Sequence, residues 1–205
     1  LVLGTAFIES LDLREESRDL LADLAAHTGE TCHLGVLDGH RIVYIEKVES
    51  PHAVRMHSRV GSTNPAHSTG LGKAMLAHCD AEVIAATIAQ GLPRRTGRTI
   101  TDPERLRQEL ATIRRRGFAL DDVENEDGIR CVAAPVLDHK RDVVAGISIA
   151  GPTYRLTLDR LQQVGSRVRA AALELSQRIG YPGELPMAQG NQQGSGRERL
   201  KQRQR

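Results

Sequence analysis

The residues with the most chemical potential lie between Gly61 and His78, in the stretch GSTNPAHSTGLGKAMLAH. Gly61, Ser62, Asn64 and Pro65 are turn formers, and Asn64 before proline is pushed toward extended geometry. The stretch then reads as helical over about Thr69 to Ala77, with Leu71, Met75 and Leu76 able to face a core. Gly70 and Gly72 leave the first backbone N–H groups of that helix uncovered by side chains. Such groups lack intrahelical partners and sit at the positive end of the helix dipole. With Lys73 in the first turn they compose a pocket for a small anion. A plainer reading stands beside it, in which the glycines permit close packing and Lys73 is solvated. The stretch is not a nucleotide-binding P-loop, because His67 stands five places before Gly72 and Ala74 follows Lys73. Met75 likewise rules out a dinucleotide fingerprint. Phosphoryl-transfer chemistry is disfavoured.

Two other groups of residues invite chemical readings. Cys131 has the makings of a nucleophile, which would serve a small hydrolase or lyase, but no sequence-local histidine signature accompanies it. A buried, inert thiol on a strand is the better account. The run Asp121 to Gly128 holds five carboxylates in seven residues, yet its spacing does not fit a calcium loop, and it reads as a solvated acidic turn. Cys32, Cys79 and Cys131 are widely spaced with no CxxC pair, which excludes a zinc knuckle or redox pair and fits reduced thiols in a cytoplasm. Neither a metal nor a cofactor is implied.

The elements that must position these residues follow from length and pattern. The 205 residues suffice for one core with appendages. A net charge of +2 gives no broad field for nucleic acid, and aromatic content of 2% without Trp leaves no base-stacking platform. No apolar run approaches the roughly 18 residues of a membrane helix, and no signal peptide is visible. The chain opens at Leu1, which suggests a piece of a longer protein.

Residues 1–12 read as the end of an incoming connector and Leu13 to His27 as an amphipathic helix stopped by Gly29. Cys32 to Leu37, the hairpin signal Asp38-Gly39 and Arg41 to Val48 follow. His52 to Val60 alternates and predicts a third strand, with Val54, Met56, Ser58 and Val60 on one face. Asp80 to Gln90 reads as a short helix, Pro93 to Arg98 as a solvated basic loop, and Pro103 to Arg116 as a helix capped by Thr101 or Asp102. Ile129 to Leu137 and Val143 to Ala150 predict paired strands, ended by Gly151-Pro152. Thr157 caps a long helix to Ile179, whose apolar stripe is a core face or a dimer face. Residues 13–183 form the domain, and residues 184–205 read as a disordered basic tail. Hairpins with grouped helices give an α+β fold, an antiparallel sheet with helices against it.

Three segments taken together, GSTNPAHSTGLGKAMLA, GIRCVAAPVL and AGISIAGPTYR, resemble the effector-binding domain of IclR-type bacterial transcription regulators. The opening LDLREESRDLLADLAAHTGETCHLGVLDGHRIVYIEKVES is similar in order and spacing. The resemblance implies a GAF-like domain with a curved sheet, no enzymatic activity, and binding of a small organic acid such as a keto, sugar or aromatic acid. It implies self-association as a dimer or tetramer, repressor action, and operator DNA bound only through an N-terminal winged helix-turn-helix that this chain lacks. Carried over by position, the effector site comprises Met56, Asn64, Gly70, Leu71, Asp121, Ile129, Cys131, Ser148 and Ala150. Family members often carry a second serine where Ala150 stands, and Asn64 falls where an apolar residue can sit.

Overall fold

The computed structural model describes residues 2–54, 56 and 58–183, with side chains from Leu13 onward. The expected basic tail lies outside them. The first helix, α1, runs over Val2–Thr28. It therefore begins well before Leu13, since no proline interrupts the stretch expected as a connector. Then come β1 (Thr31–Asp38), β2 (Arg41–Val48) and the short β3 (Thr63–Pro65). Three helices follow, α2 (Gly70–Leu76), α3 (Ala81–Ala89) and α4 (Pro103–Arg116). The chain returns to the sheet through β4 (Ala119–Asp122), β5 (Ile129–Leu137) and β6 (Val143–Pro152), and closes the described fold with α5 (Leu158–Arg178).

The six strands form one curved antiparallel sheet in the order β3-β2-β1-β6-β5-β4. Its centre joins the two hairpins, β1 pairing with β6. Each hairpin turn is short, but the β1–β6 pairing spans most of the chain. Glu30 secures that junction, because its carboxylate accepts two 2.9 Å hydrogen bonds from Arg155 just past β6. This bidentate geometry is the strong form of the pair.

Alternation along the strands sends side chains to two different layers. One face packs Leu34, Val132, Val136, Ile147 and Ile149 against α1 and α5. Leu161, Val164, Val168, Ala172 and Leu175 of α5 are all in this cluster, so its stripe is a core face. The other face packs Ile42, Tyr44, Ala119 and Ala133 against α2 and α4. Caps end the helices as their residues dictate: Asp102 Oδ1 accepts from the Arg105 N–H at 2.7 Å, and Gly117 closes α4 at φ 83°.

Two expectations about strands fail. Residues 51–54 are bends rather than strand, and Val54 and Val60 are exposed. The carbonyls of Met56 and Ser58 accept from the Lys47 ammonium at 3.2 and 2.7 Å instead of from a neighbouring strand. Gly61, at φ 83°, then turns the chain toward β3. Gly151 and Pro152 do not stop β6, for they still pair with Arg130 and Ile129 at the sheet's end.

Candidate functional site

Register brings distant residues onto one face. Asp121 of β4 stands opposite Cys131 of β5, which stands opposite Ala150 of β6. In the adjoining row Ala133 faces Ser148, and Ser148 faces His33 of β1. Small side chains at most of these positions leave space above the sheet, and α2 lies over it. Gly70 approaches so closely that a Cβ there would sit 2.8 Å from Cys131 Sγ. Gly72 is closer still to backbone, since a Cβ would lie 2.2 Å from the Ala66 carbonyl oxygen. Gly72 therefore serves packing, as the plainer sequence reading held.

The result is a cavity of about 20 Å³, counted as space open to the centre of a water molecule. That is room for about one water molecule, which needs roughly 10–15 Å³ by this measure. Its wall includes Met56, Gly70, Leu71, Asp121, Ile129, Cys131, Ser148 and Ala150. Asn64, named with them in the sequence, stands behind this wall, its amide donating to the Tyr44 hydroxyl at 3.3 Å. The wall also contains His33, Tyr44, Thr69, Asn125 and Glu126, which sequence reasoning missed. A histidine within the apolar run CHLGV was the one available signal for His33.

Lys73 is neither solvated nor free to hold an anionic ligand. It is fully buried and its ammonium pairs with the Glu124 carboxylate at 2.5 Å. The acidic stretch is correspondingly not a solvated turn throughout, because Asp121 and Glu124 are buried while Glu126 and Asp127 are exposed. Val123, between them, has φ 64°, a conformation rare for a β-branched residue. This turn aims both flanking carboxylates inward and is tied to the basic loop by Thr96, whose hydroxyl donates to the Val123 carbonyl at 2.6 Å. Thr99 likewise donates to the Glu124 carbonyl at 2.7 Å. Within the loop Pro93 to Arg98, Arg94, Arg95 and Arg98 are exposed, as expected of a solvated basic loop, and only Thr96 turns inward to brace the turn.

Burial dominates the electrostatics. It pushes the Asp121 carboxyl up to about 7, against the lowering pull of Lys73. The Asp121 Oδ1 also accepts from the Glu124 N–H at 2.7 Å. Burial raises Glu124 as well, again opposed by Lys73. His33 is held down to about 3 by burial, then by the Lys47 charge, and so is neutral. The Cys131 thiol is pushed far up by burial, reinforced by Asp121, which leaves it a protonated, poor nucleophile. Among the described residues no cluster of three or more His, Cys, Asp or Glu suits a metal ion.

A curved antiparallel sheet with helices on both faces is the architecture of a GAF-like domain. Within that class the chain belongs to the IclR family of transcriptional regulators, as residues 5–177 match the family model described as bacterial transcriptional regulator IclR C-terminal. It is 40% identical over 181 residues to the HTH-type transcriptional regulator KdgR of Escherichia coli (strain K12), covering 87% of this chain and 68% of that one. Among solved structures it resembles the Thermotoga maritima IclR, with TM-score 0.80 and 36% identity over 88% of this chain and 74% of that one. It also resembles the inducer-binding domain of a PobR double mutant from Acinetobacter, in complex with 3-hydroxybenzoic acid. There the TM-score is 0.73 and identity 30%, covering 80% of this chain and 97% of that one. These relatives are named as regulators, not enzymes, and the state of Cys131 agrees. No described helix is long and apolar enough to cross a membrane.

Proposed function

We propose that this domain senses a small organic acid and, as part of a self-associating cytoplasmic repressor, passes its occupancy to an attached winged helix-turn-helix. The observation that carries the reading is the cavity, where apolar Leu71, Ile129 and Ala150 share a wall with the polar groups of Asp121 and Ser148. A few convergent polar groups in an otherwise apolar hollow are what orient a small ligand. In this reading the backbone of Gly70 and Leu71 takes the carboxylate and Ser148 adds one hydrogen bond. Asp121, protonated in part near neutrality, is able to donate to an acid rather than repel it. The 3-hydroxybenzoic acid bound by the PobR domain supports the same class of ligand. Occupancy acts by favouring one arrangement of subunits, which alters the spacing of paired DNA-reading domains and hence operator affinity.

A thermal-shift screen against keto, sugar and aromatic acids tests this. A binding acid at about one hundred times its Kd adds roughly 2.7 kcal/mol of stability. The shift should vanish in Gly70→Asp, which puts a carboxylate and added bulk against Cys131. It should weaken in Ser148→Ala, a milder change that spares the fold. Shifts that persist in both variants would remove this cavity from the proposal.

A further inference from the structure

Among the described side chains, three polar atoms are buried without a hydrogen-bond partner, and one of them, Nδ1 of His33, is on a residue that lines the cavity. His33 is 1% exposed, so bulk water does not satisfy this nitrogen. A buried polar atom without a partner is costly, and at a cavity wall it is a place for an occupant to bind. The ring is fixed. Its Nε2 lies 2.6 Å from Ser58 Oγ, and its face is tilted on Tyr44 with centroids 4.7 Å apart. A half-turn of the ring would put a carbon where Nε2 meets Ser58 and forfeit that hydrogen bond.

A neutral imidazole has one donor nitrogen and one acceptor. Whichever role Nε2 takes toward Ser58, Nδ1 takes the other. A hydroxyl satisfies Nδ1 in either tautomer, because it both donates and accepts. Position adds a second constraint. Gly70 meets the sheet at Cys131 on β5, whereas His33 is on β1, two strands away through β6. That separation is about 10 Å at the backbone. We infer that His33 sets the specificity of the cavity, its Nδ1 hydrogen-bonding a hydroxyl that the bound acid carries away from its carboxylate. The preferred occupant is then a hydroxylated acid over its plain counterpart. The inference rests on the acid-sensing reading above.

Calorimetric titration of the whole chain with matched probes, 3-hydroxybenzoate against benzoate and gluconate against hexanoate, tests it. In the unaltered chain at least one hydroxylated acid should bind about tenfold tighter than its partner. Two variants separate the ring nitrogens. His33→Asn carries an amide near the place of Nδ1 and should retain the preference. His33→Gln reaches instead toward Ser58 and should lose it, with affinity for the plain acid changed less than about twofold. A histidine needed only to hold Ser58 would give the reverse order. Equal binding of both members of each pair by the unaltered chain, or a preference unmoved by His33→Gln, overturns the inference and leaves acid sensing standing. Binding of none of the four acids counts against both.

Discussion

The two faces of the sheet are built on opposite principles. Toward α1 and α5 the strands present Leu34, Val132, Val136, Ile147 and Ile149, a continuous aliphatic layer. Toward α2 the same strands present Gly35, Cys131, Ala133, Gly146, Ser148 and Ala150, with Asp121 and His33 at the margins. Each fully buried aliphatic side chain of the first face contributes about 1.5–3 kcal/mol. The second face gives up much of that apolar area and adds a desolvated ion pair, a neutral histidine and a turn held at Val123 in a left-handed conformation. The difference teaches a division of labour in which one layer stabilises the sheet and the other spends stability on a shaped, polar hollow.

The contrast is most sharply tested at Lys73. Lys73→Met leaves Glu124 buried without its cation, and removing one partner of such a pair costs about 3–5 kcal/mol. Denaturant melts should show that loss, and Lys73→Met combined with Glu124→Leu should recover most of it. A Lys73→Met variant of unchanged stability would dissolve the proposed difference between the faces.

Asp121 supplies a pH signature. Its folded value of about 7 lies above the ordinary 3.8, so between these limits the folded state holds the proton more tightly than the unfolded chain. Stability contributed by the protonated group is complete below about 4 and is lost as pH rises through about 7. His33 slopes the other way below its ordinary 6.5, since its folded value is lowered. The clean observable is therefore the stability of the unaltered chain minus that of Asp121→Asn, which should fall by a few kcal/mol from pH 4 to pH 8. Urea melts across that range measure it.

The smallest effect belongs to the opposite face. Ile147→Val should cost about 0.5–1.5 kcal/mol in the same melts and leave the response to acids unchanged. An altered response there would mean that the aliphatic layer also shapes the cavity.

Much of the fold was legible because its signals are local. Asp38-Gly39, the cap at Asp102, the stop at Gly117 and the stripe of α5 each depend on neighbours within a few residues. The segment 52–60 misled for the complementary reason. Its alternation is genuine, but the Lys47 ammonium takes the carbonyls of Met56 and Ser58, and side-chain chemistry from another strand leaves no mark on a local pattern. Lys73 and Glu124 were misread similarly, since each alone looks like a surface charge and only their approach across 51 positions explains their burial. The cavity's small residues were reached through resemblance, not periodicity. His33 and Tyr44 escaped because their places depend on the β1–β6 and β1–β2 registers, which no single stretch encodes.

The β1–β6 pairing also has a consequence in time. The cavity's two sides, from β1 and from β4 to β6, come together only when residues more than a hundred positions apart in sequence find each other. Closing so long a loop is slow and unrewarded until the strands zip. The hollow is thus expected to assemble late, after each hairpin has formed on its own. If the proposed acid binds there, it would grip both halves of the sheet at once, and the return of binding during refolding would time the joining of the two hairpins.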